Sequence, residues 1–207
     1  MADEPRKQGD VPSAESDASG SDPAEARARS KRRLIMLLCV AAGVVVLDQV
    51  SKAIARATLV EGESVTLISG VIDLKLTYNT GAAFSLGEGA GPFYVLMAVV
   101  MFAFGVWLAW KRTDTPTSLV AAVACVVGGG IGNAIDRVVL GAVTDFFNPT
   151  FIDFAVFNVA DSFITVGVIV AFLIWWRWDD AREDEKDKDK GDEDDTAGAD
   201  KDSEASV

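Results

Sequence analysis

Histidine is absent from this chain of 207 residues. That absence removes Ser-His-Asp triads, Cys-His pairs and histidine-ligated metal sites. Hydrolysis, if the chain performs it, has to run on carboxylates or on a Ser-Lys pair. Cysteine is scarce: Cys39 and Cys125 are the two present, and both lie in apolar runs. They are expected as small buried hydrophobes, not as a disulfide. Ala122-Val123-Ala124-Cys125 has the look of a lipid-attachment box, but it falls inside a later apolar segment, not behind an N-terminal signal. No cofactor, no metal and no nucleic-acid partner is expected.

Charge is scarce in the middle of the chain. The formal net charge is -12, yet acids and bases crowd into residues 1–33 and 179–207 and thin out between them. The chain therefore reads as one apolar body, 34–178, with two soluble tails. The N-terminal tail is rich in Ala, Ser, Asp, Glu and Gly; the C-terminal tail is a run of Asp, Glu and Lys. Neither has apolar residues to offset the entropy of ordering, so both are expected to be disordered. The acidic tail is read as a solvated segment, with a basic partner as the sharper alternative.

Within the body stand four apolar stretches: Leu34 to Leu47 continuing through Ala55, Pro92 to Trp110, Ser118 to about Ile135, and about Ala160 to Trp176. A helix needs roughly 20 apolar residues to cross a bilayer. The first stretch reaches that length only if Asp48 and Lys52 lie near an interface, where a lysine can snorkel. The fold class is thus an α-helical integral membrane protein with four transmembrane helices. Arg27, Arg29, Lys31, Arg32 and Arg33 precede the first span, Lys111 and Arg112 separate the second from the third, and Arg177 follows the fourth. With four spans these clusters share one side, which places both termini in the cytoplasm. Segments 58–91 and 137–159 then face outward. Ile72 to Asn79 alternates apolar and polar residues like a half-buried strand, Val65 to Ile68 is also strand-like, and Asn79-Thr80-Gly81 reads as a turn. Phe93, Tyr94, Trp107, Trp110, Trp175 and Trp176 suit interfacial belts.

Polar residues near a bilayer are costly and face protein or water. Here Asp48, Gln49, Lys52, Asn79, Asn133, Asp136, Arg137, Asp145, Asn158 and Asp161 all fall toward the outward ends of the spans. Several have plain structural readings. Asp48 and Lys52, spaced i, i+4, make a salt bridge. Gly128 and Gly132 permit close helix packing. Asp136 and Arg137 form an ion pair, and Asn158 with Asp161 cap the start of the fourth span. Asp145, set among aromatic and β-branched residues, is harder to read as surface decoration.

Five segments in order carry a resemblance: Asp48-Gln49-Val50-Ser51-Lys52, Asn79-Thr80-Gly81-Ala82-Ala83-Phe84, Gly129 to Arg137 (GGIGNAIDR), Val143-Thr144-Asp145-Phe146 and Phe157-Asn158-Val159-Ala160-Asp161-Ser162. Together they resemble the bacterial lipoprotein signal peptidases, the type II signal peptidases, over about residues 34–178. The resemblance implies a small extracytoplasmic β-cradle, residence in the bacterial cell membrane, and an aspartic dyad at Asp145 and Asp161. It implies supporting positions at Asp48, Lys52, Asn79, Asn133, Asp136, Arg137, Asn158 and Ala160. The implied substrate is a prolipoprotein whose cysteine carries diacylglycerol, cut just before that cysteine, with membrane lipid as the other partner. The chain departs from the family pattern at Thr144, where many members have Val, in a slightly short stretch between the two aspartates, and in its tails. A proton- or ion-coupled transporter, a non-enzymatic scaffold, and a Ser-Lys peptidase using Lys52 with Ser51 or Ser85 are the competing readings.

Overall fold

A computed structural model of the chain describes residues 23–81 and 91–204, with side chains described through residue 183. In chain order the elements are α1 (Pro23–Thr58), β1 (Val65–Ile68), β2 (Ile72–Asn79), α2 (Gly91–Lys111), α3 (Thr117–Leu140), β3 (Val143–Pro149) and α4 (Val159–Glu204). All four described helices are long and apolar enough to cross a membrane, α4 over Val159–Glu183.

The reason α3 is central lies in its small residues. It packs against α1, α2 and α4 and is the most enclosed of the helices. A Cβ on Gly128 would lie 2.7 Å from the Ala41 carbonyl oxygen, and one on Gly129 would lie 2.6 Å from that of Ala160. Glycine at these two positions lets α1 and α4 approach backbone to backbone. Around this contact Leu37, Leu108, Val120, Ala124 and Val127 form the apolar core. Outward-facing apolar side chains remain exposed on every helix, such as Ile54, Phe104, Val139 and Phe172. That surface suits lipid, where apolar exposure costs nothing. Cys39 lies on it: contrary to the expected burial, its free thiol is exposed, and Cys125 is half-buried. Five of the six belt aromatics are exposed; Tyr94 is drawn inward under Arg137, whose guanidinium carbon stands 4.7 Å from the ring centroid.

At one end of the bundle the short α2–α3 connection is held by α1. Arg33 is buried and donates to the carbonyls of Thr115 (2.6 Å) and Arg112 (3.1 Å) and to the Thr115 hydroxyl (2.6 Å). Arg33, one of the basic cluster before the first span, thereby satisfies carbonyls just past the α2 terminus. The boundary placed at residue 33 does not coincide with a helix end, because α1 starts at Pro23 and runs through Ala24, Ala26, Ala28 and the basic cluster. Alanine and arginine are strong helix formers, and proline is tolerated in a first turn. Likewise α4 continues past residue 178 to Glu204. Residues 1–22 and 205–207, where disorder is also expected, lie outside the described residues.

At the opposite end lies an antiparallel sheet in the order β1-β2-β3. The first two strands lie where strands are expected, though β1 is exposed throughout and β2 mostly half-buried; β3 was not anticipated. Gly141 ends α3 in the left-handed conformation (φ 74°), its N–H bonding the Arg137 carbonyl, and the chain turns at once into β3. Asp145 pairs across the ladder with Thr77, and Asn79 with Val143.

Candidate active site

The site assembles where β3, the end of α1, the end of α3 and the start of α4 meet. On α1, Asp48 and Lys52 share a face one turn apart, both fully enclosed, with Lys52 Nζ 2.9 Å from Asp48 Oδ2. The other Asp48 oxygen accepts the Ala160 backbone N–H at 3.0 Å, which fixes the first turn of α4 against α1. Ala160 has no exposed surface, and a Cβ on Gly132 would collide with the Asp48 carboxylate. Asp48, Gly132 and Ala160 are thus one three-helix junction.

Asp136 does not pair with Arg137. Consecutive residues point to different helix faces, and Asp136 turns inward: Oδ2 accepts the Thr144 backbone N–H at 2.9 Å and lies 3.6 Å from Lys52 Nζ. Arg137 turns the other way and donates to the Gly81 carbonyl at 2.8 Å and to its own helix at Asn133.

Asn158 and Asp161 cap α4 reciprocally. Asp161 N–H donates to Asn158 Oδ1 at 3.0 Å, and Asn158 N–H donates to Asp161 Oδ2 at 3.1 Å. Phe147 and Phe157 exchange backbone hydrogen bonds at 2.8 and 3.0 Å, and this bridge brings the cap beside β3. The asparagine amides then span the gap between the two aspartates. Asn133 Nδ2 donates to Asp161 Oδ1 at 2.8 Å. Asn158 Nδ2 donates to Asp145 Oδ1 at 2.7 Å and to Asn133 Oδ1 at 3.1 Å. Asn79 Nδ2 reaches Asp145 Oδ2 at 3.2 Å while its oxygen accepts the Gly81 N–H at 2.9 Å.

The direction of these amides follows from donor counting. The Lys52 ammonium has only donors, and it meets Asn133 Oδ1 at 2.8 Å. Asn133 must therefore present its NH₂ to Asp161. Asn158 Oδ1 is held by a backbone N–H, so its NH₂ must face Asp145. All four carboxylate oxygens of Asp145 and Asp161 thus accept from an N–H whose direction the surrounding groups fix.

Asp145 is buried and Asp161 half-buried, and both line one cavity of about 620 Å³ together with Asn79, Asn133 and Arg137. Burial first, and then the nearby charge of Asp161, push the Asp145 carboxyl up to about 7; the Asn79 and Asn158 amides pull weakly the other way. Beyond the carboxylates the cavity continues past Met97, Met101, Val126 and Ile164, an apolar arm among three helices. The polar residues singled out at the outward ends of the spans lie in this assembly, with Asp48, Lys52 and Asp136 as the buried frame and Asn79, Asn133, Arg137 and Asn158 around the pair.

Sequence reasoning missed Arg56 and a part for Thr144, which hydrogen bond to each other. The spacing 48, 52, 56 was the available signal for Arg56, since it repeats one helix face. The Ser-Lys alternative has no support at Ser51, whose hydroxyl donates to the Asp48 carbonyl at 2.8 Å, while Lys52 is taken up by carboxylates. Ser85 lies outside the described residues.

The chain is similar to known proteins over most of its length. The family model described as signal peptidase (SPase) II matches residues 40–177. The lipoprotein signal peptidase of Streptococcus pyogenes serotype M1 is 35% identical over 150 residues, spanning 72% of this chain and 97% of that protein. That of Streptococcus thermophilus strain CNRZ 1066 is 40% identical over 131 residues, 63% of this chain and 86% of that protein. Among solved structures, a bacterial membrane enzyme determined by the in meso method at 2.3 Å superposes with a TM-score of 0.63 at 30% identity, covering 68% of this chain and 87% of that one.

Proposed function

The chain belongs to the signal peptidase II family, and from that premise we propose that it is a membrane aspartic endopeptidase with Asp145 and Asp161 as its dyad. A signal peptidase II function makes it a peptidase of multi-pass membrane type acting on prolipoproteins. The finer reading is that its substrate carries diacylglycerol on a cysteine and is cut just before that residue. One observation carries the aspartic assignment. Two carboxylates from separate elements line one cavity, and the charge of one raises the proton affinity of the other.

Peptide hydrolysis needs a base to activate water and an acid to protonate the leaving nitrogen, and two carboxylates sharing one proton supply both. Asp145, neutral up to about pH 7, is the acid that polarises the scissile carbonyl. Asp161, with its oxygens held by Asn133 and the Asn158 N–H, takes a proton from water. The roles exchange as the tetrahedral intermediate collapses. The apolar arm of the cavity suits aliphatic chains, where each buried CH₂ contributes about 0.8 kcal/mol, so the lipid would position the peptide.

Incubation of the purified protein with lipidated and unlipidated prolipoprotein tests this reading. Release of signal peptide is expected from the lipidated precursor alone. Its kcat/KM should fall as pH rises past about 7, because the pair then loses its shared proton. The same proton has a stability consequence. Asp145 is raised from 3.8 to about 7, so over that window the folded state holds a proton that the unfolded chain has released. Stability therefore falls as pH rises through the window and not further above it. Equal cleavage of both precursors, or a rate still rising at pH 8.5, would count against the reading.

Both termini are placed in the cytoplasm of the bacterial cell, with the sheet and the dyad near the outer face of the cell membrane. The support is the bias of Lys and Arg to one side. In a cysteine-free background, a thiol introduced at position 190 should resist an impermeant reagent in intact cells, and one at position 63 should react. Labelling at 190 from outside would overturn this orientation.

A further inference from the structure

Arg56 stands one turn beyond Lys52 on the face of α1 that carries Asp48, and the chemistry above gives it no part. Its guanidinium donates to the Thr144 hydroxyl at 2.8 Å and lies 3.7 Å from Asp136 Oδ1. Oδ2 of that carboxylate accepts the Thr144 backbone N–H at 2.9 Å. Residues from α1, α3 and β3 thus close a ring on the strand residue directly before Asp145. Thr144 is fully enclosed, so its hydroxyl has no route to solvent. Neighbouring side chains of a strand point to opposite faces. Holding the Thr144 side chain on the Arg56 side commits Asp145 to the other side, toward the cavity and the Asn158 amide.

We infer that Arg56 is a positioning residue for the reaction: through the Thr144 hydroxyl and the Asp136 carboxylate it sets where the Asp145 carboxyl stands. The inference rests on the assignment of Asp145 to the dyad. It has a signature that a general loss of packing lacks. Removing one partner of a buried hydrogen bond strands the other, whereas removing both leaves nothing unsatisfied. Arg56→Met should lower kcat of the folded enzyme roughly tenfold with KM unchanged, since small misplacements of a reacting group cost heavily. Thr144→Val alone should cost about threefold, and the double variant should recover to the level of Thr144→Val.

The test is the double-mutant cycle on lipidated prolipoprotein, with rates taken per folded protein from the monodisperse detergent fraction. Should Arg56→Met fail to fold, Arg56→Lys, which keeps the charge near Asp136 without the planar fork, replaces it in the cycle. Recovery in the double variant supports the inference; additive losses, or a normal kcat for the Arg56 variant, overturn it. Asp145→Asn is measured alongside. If that variant still cuts, the dyad falls and this inference with it. If it is inactive while the cycle is additive, only the role of Arg56 falls.

Discussion

Asp145→Asn and Asp161→Asn should each abolish cleavage, by about 10⁴-fold or more, while membrane insertion and the yield of folded protein stay near normal. The double variant should be no worse than either single one, because groups that act as a unit lose their contribution together. The basis is that, among the described residues, no other carboxylate or imidazole lines the cavity: with no histidine in the chain, the remaining polar groups there are the Asn79 and Asn133 amides, the Arg137 guanidinium and the hydroxyls of Tyr94, Ser162 and Thr165. Folding should survive because the surroundings tolerate a neutral group at both places. An amide at 145 keeps the 2.7 Å bond from Asn158 if its oxygen faces that residue. Its NH₂ then meets the Asn79 NH₂ across the longer 3.2 Å contact, the weaker of the two bonds and the one given up. An amide oxygen at 161 still accepts one of its two donors. The measurement is the initial rate per folded enzyme, with Asp136→Asn as the contrast. Asp136 is buried against Lys52 and Arg56, so that change should reduce the amount of folded protein and touch the reaction only through it. A well-folded, inactive Asp136→Asn beside an Asp145→Asn variant that cuts normally would place the dyad on the wrong residue.

How much of this was legible from residues alone depended on how local each signal was. The four helices follow from apolar length, the Asp48–Lys52 pair from i, i+4 spacing, and the α4 cap from the Asn158 and Asp161 positions. Each lies within one or two helical turns of chain. Strand β3 escaped because Val143, Thr144, Asp145 and Phe146 are all buried. Paired with β2 and covered by α1 and α3, it shows no alternation of apolar and polar residues. Asp136 was assigned to its neighbour Arg137 on sequence adjacency, which is a poor guide on a helix, where partners lie three or four residues apart or on another element. The Arg56–Thr144 bond joins residues 88 apart and leaves no local trace. The tail boundaries do not mark helix ends, for another reason. Composition reports whether a segment can build a core, and a polar segment can still be helical when attached to a helix already formed.

Lys52→Met is expected to have the largest effect on folding. Lys52 is fully enclosed, with Asp48 at 2.9 Å and Asp136 at 3.6 Å. Methionine fills much the same volume, so the change isolates charge. It leaves Asp48 with no cation and Asp136 with only the more distant Arg56, at 3.7 Å. Stripping one partner from a buried pair costs about 3–5 kcal/mol, a large share of the 5–15 kcal/mol typical of folded domains. Little monodisperse protein should be recovered. Adding Asp48→Asn removes one stranded charge while keeping an oxygen for the Ala160 N–H, so Lys52→Met/Asp48→Asn should recover a substantial part of the yield. Activity should not return with it. Without the ammonium on Asn133 Oδ1, that amide is held by the Asn158 and Asp161 contacts alone and turns more freely. A flipped Asn133 turns its carbonyl on Asp161, and the donor to Asp161 is lost. The recovered double variant should therefore cut on the order of 100-fold more slowly per folded enzyme, the scale of loss for a misplaced reacting group. If Lys52 were only a counter-ion, rate and fold would recover together. Full activity in the double variant, or a stable and active Lys52→Met, would show that the direction of the Asn133 amide is set by something other than Lys52.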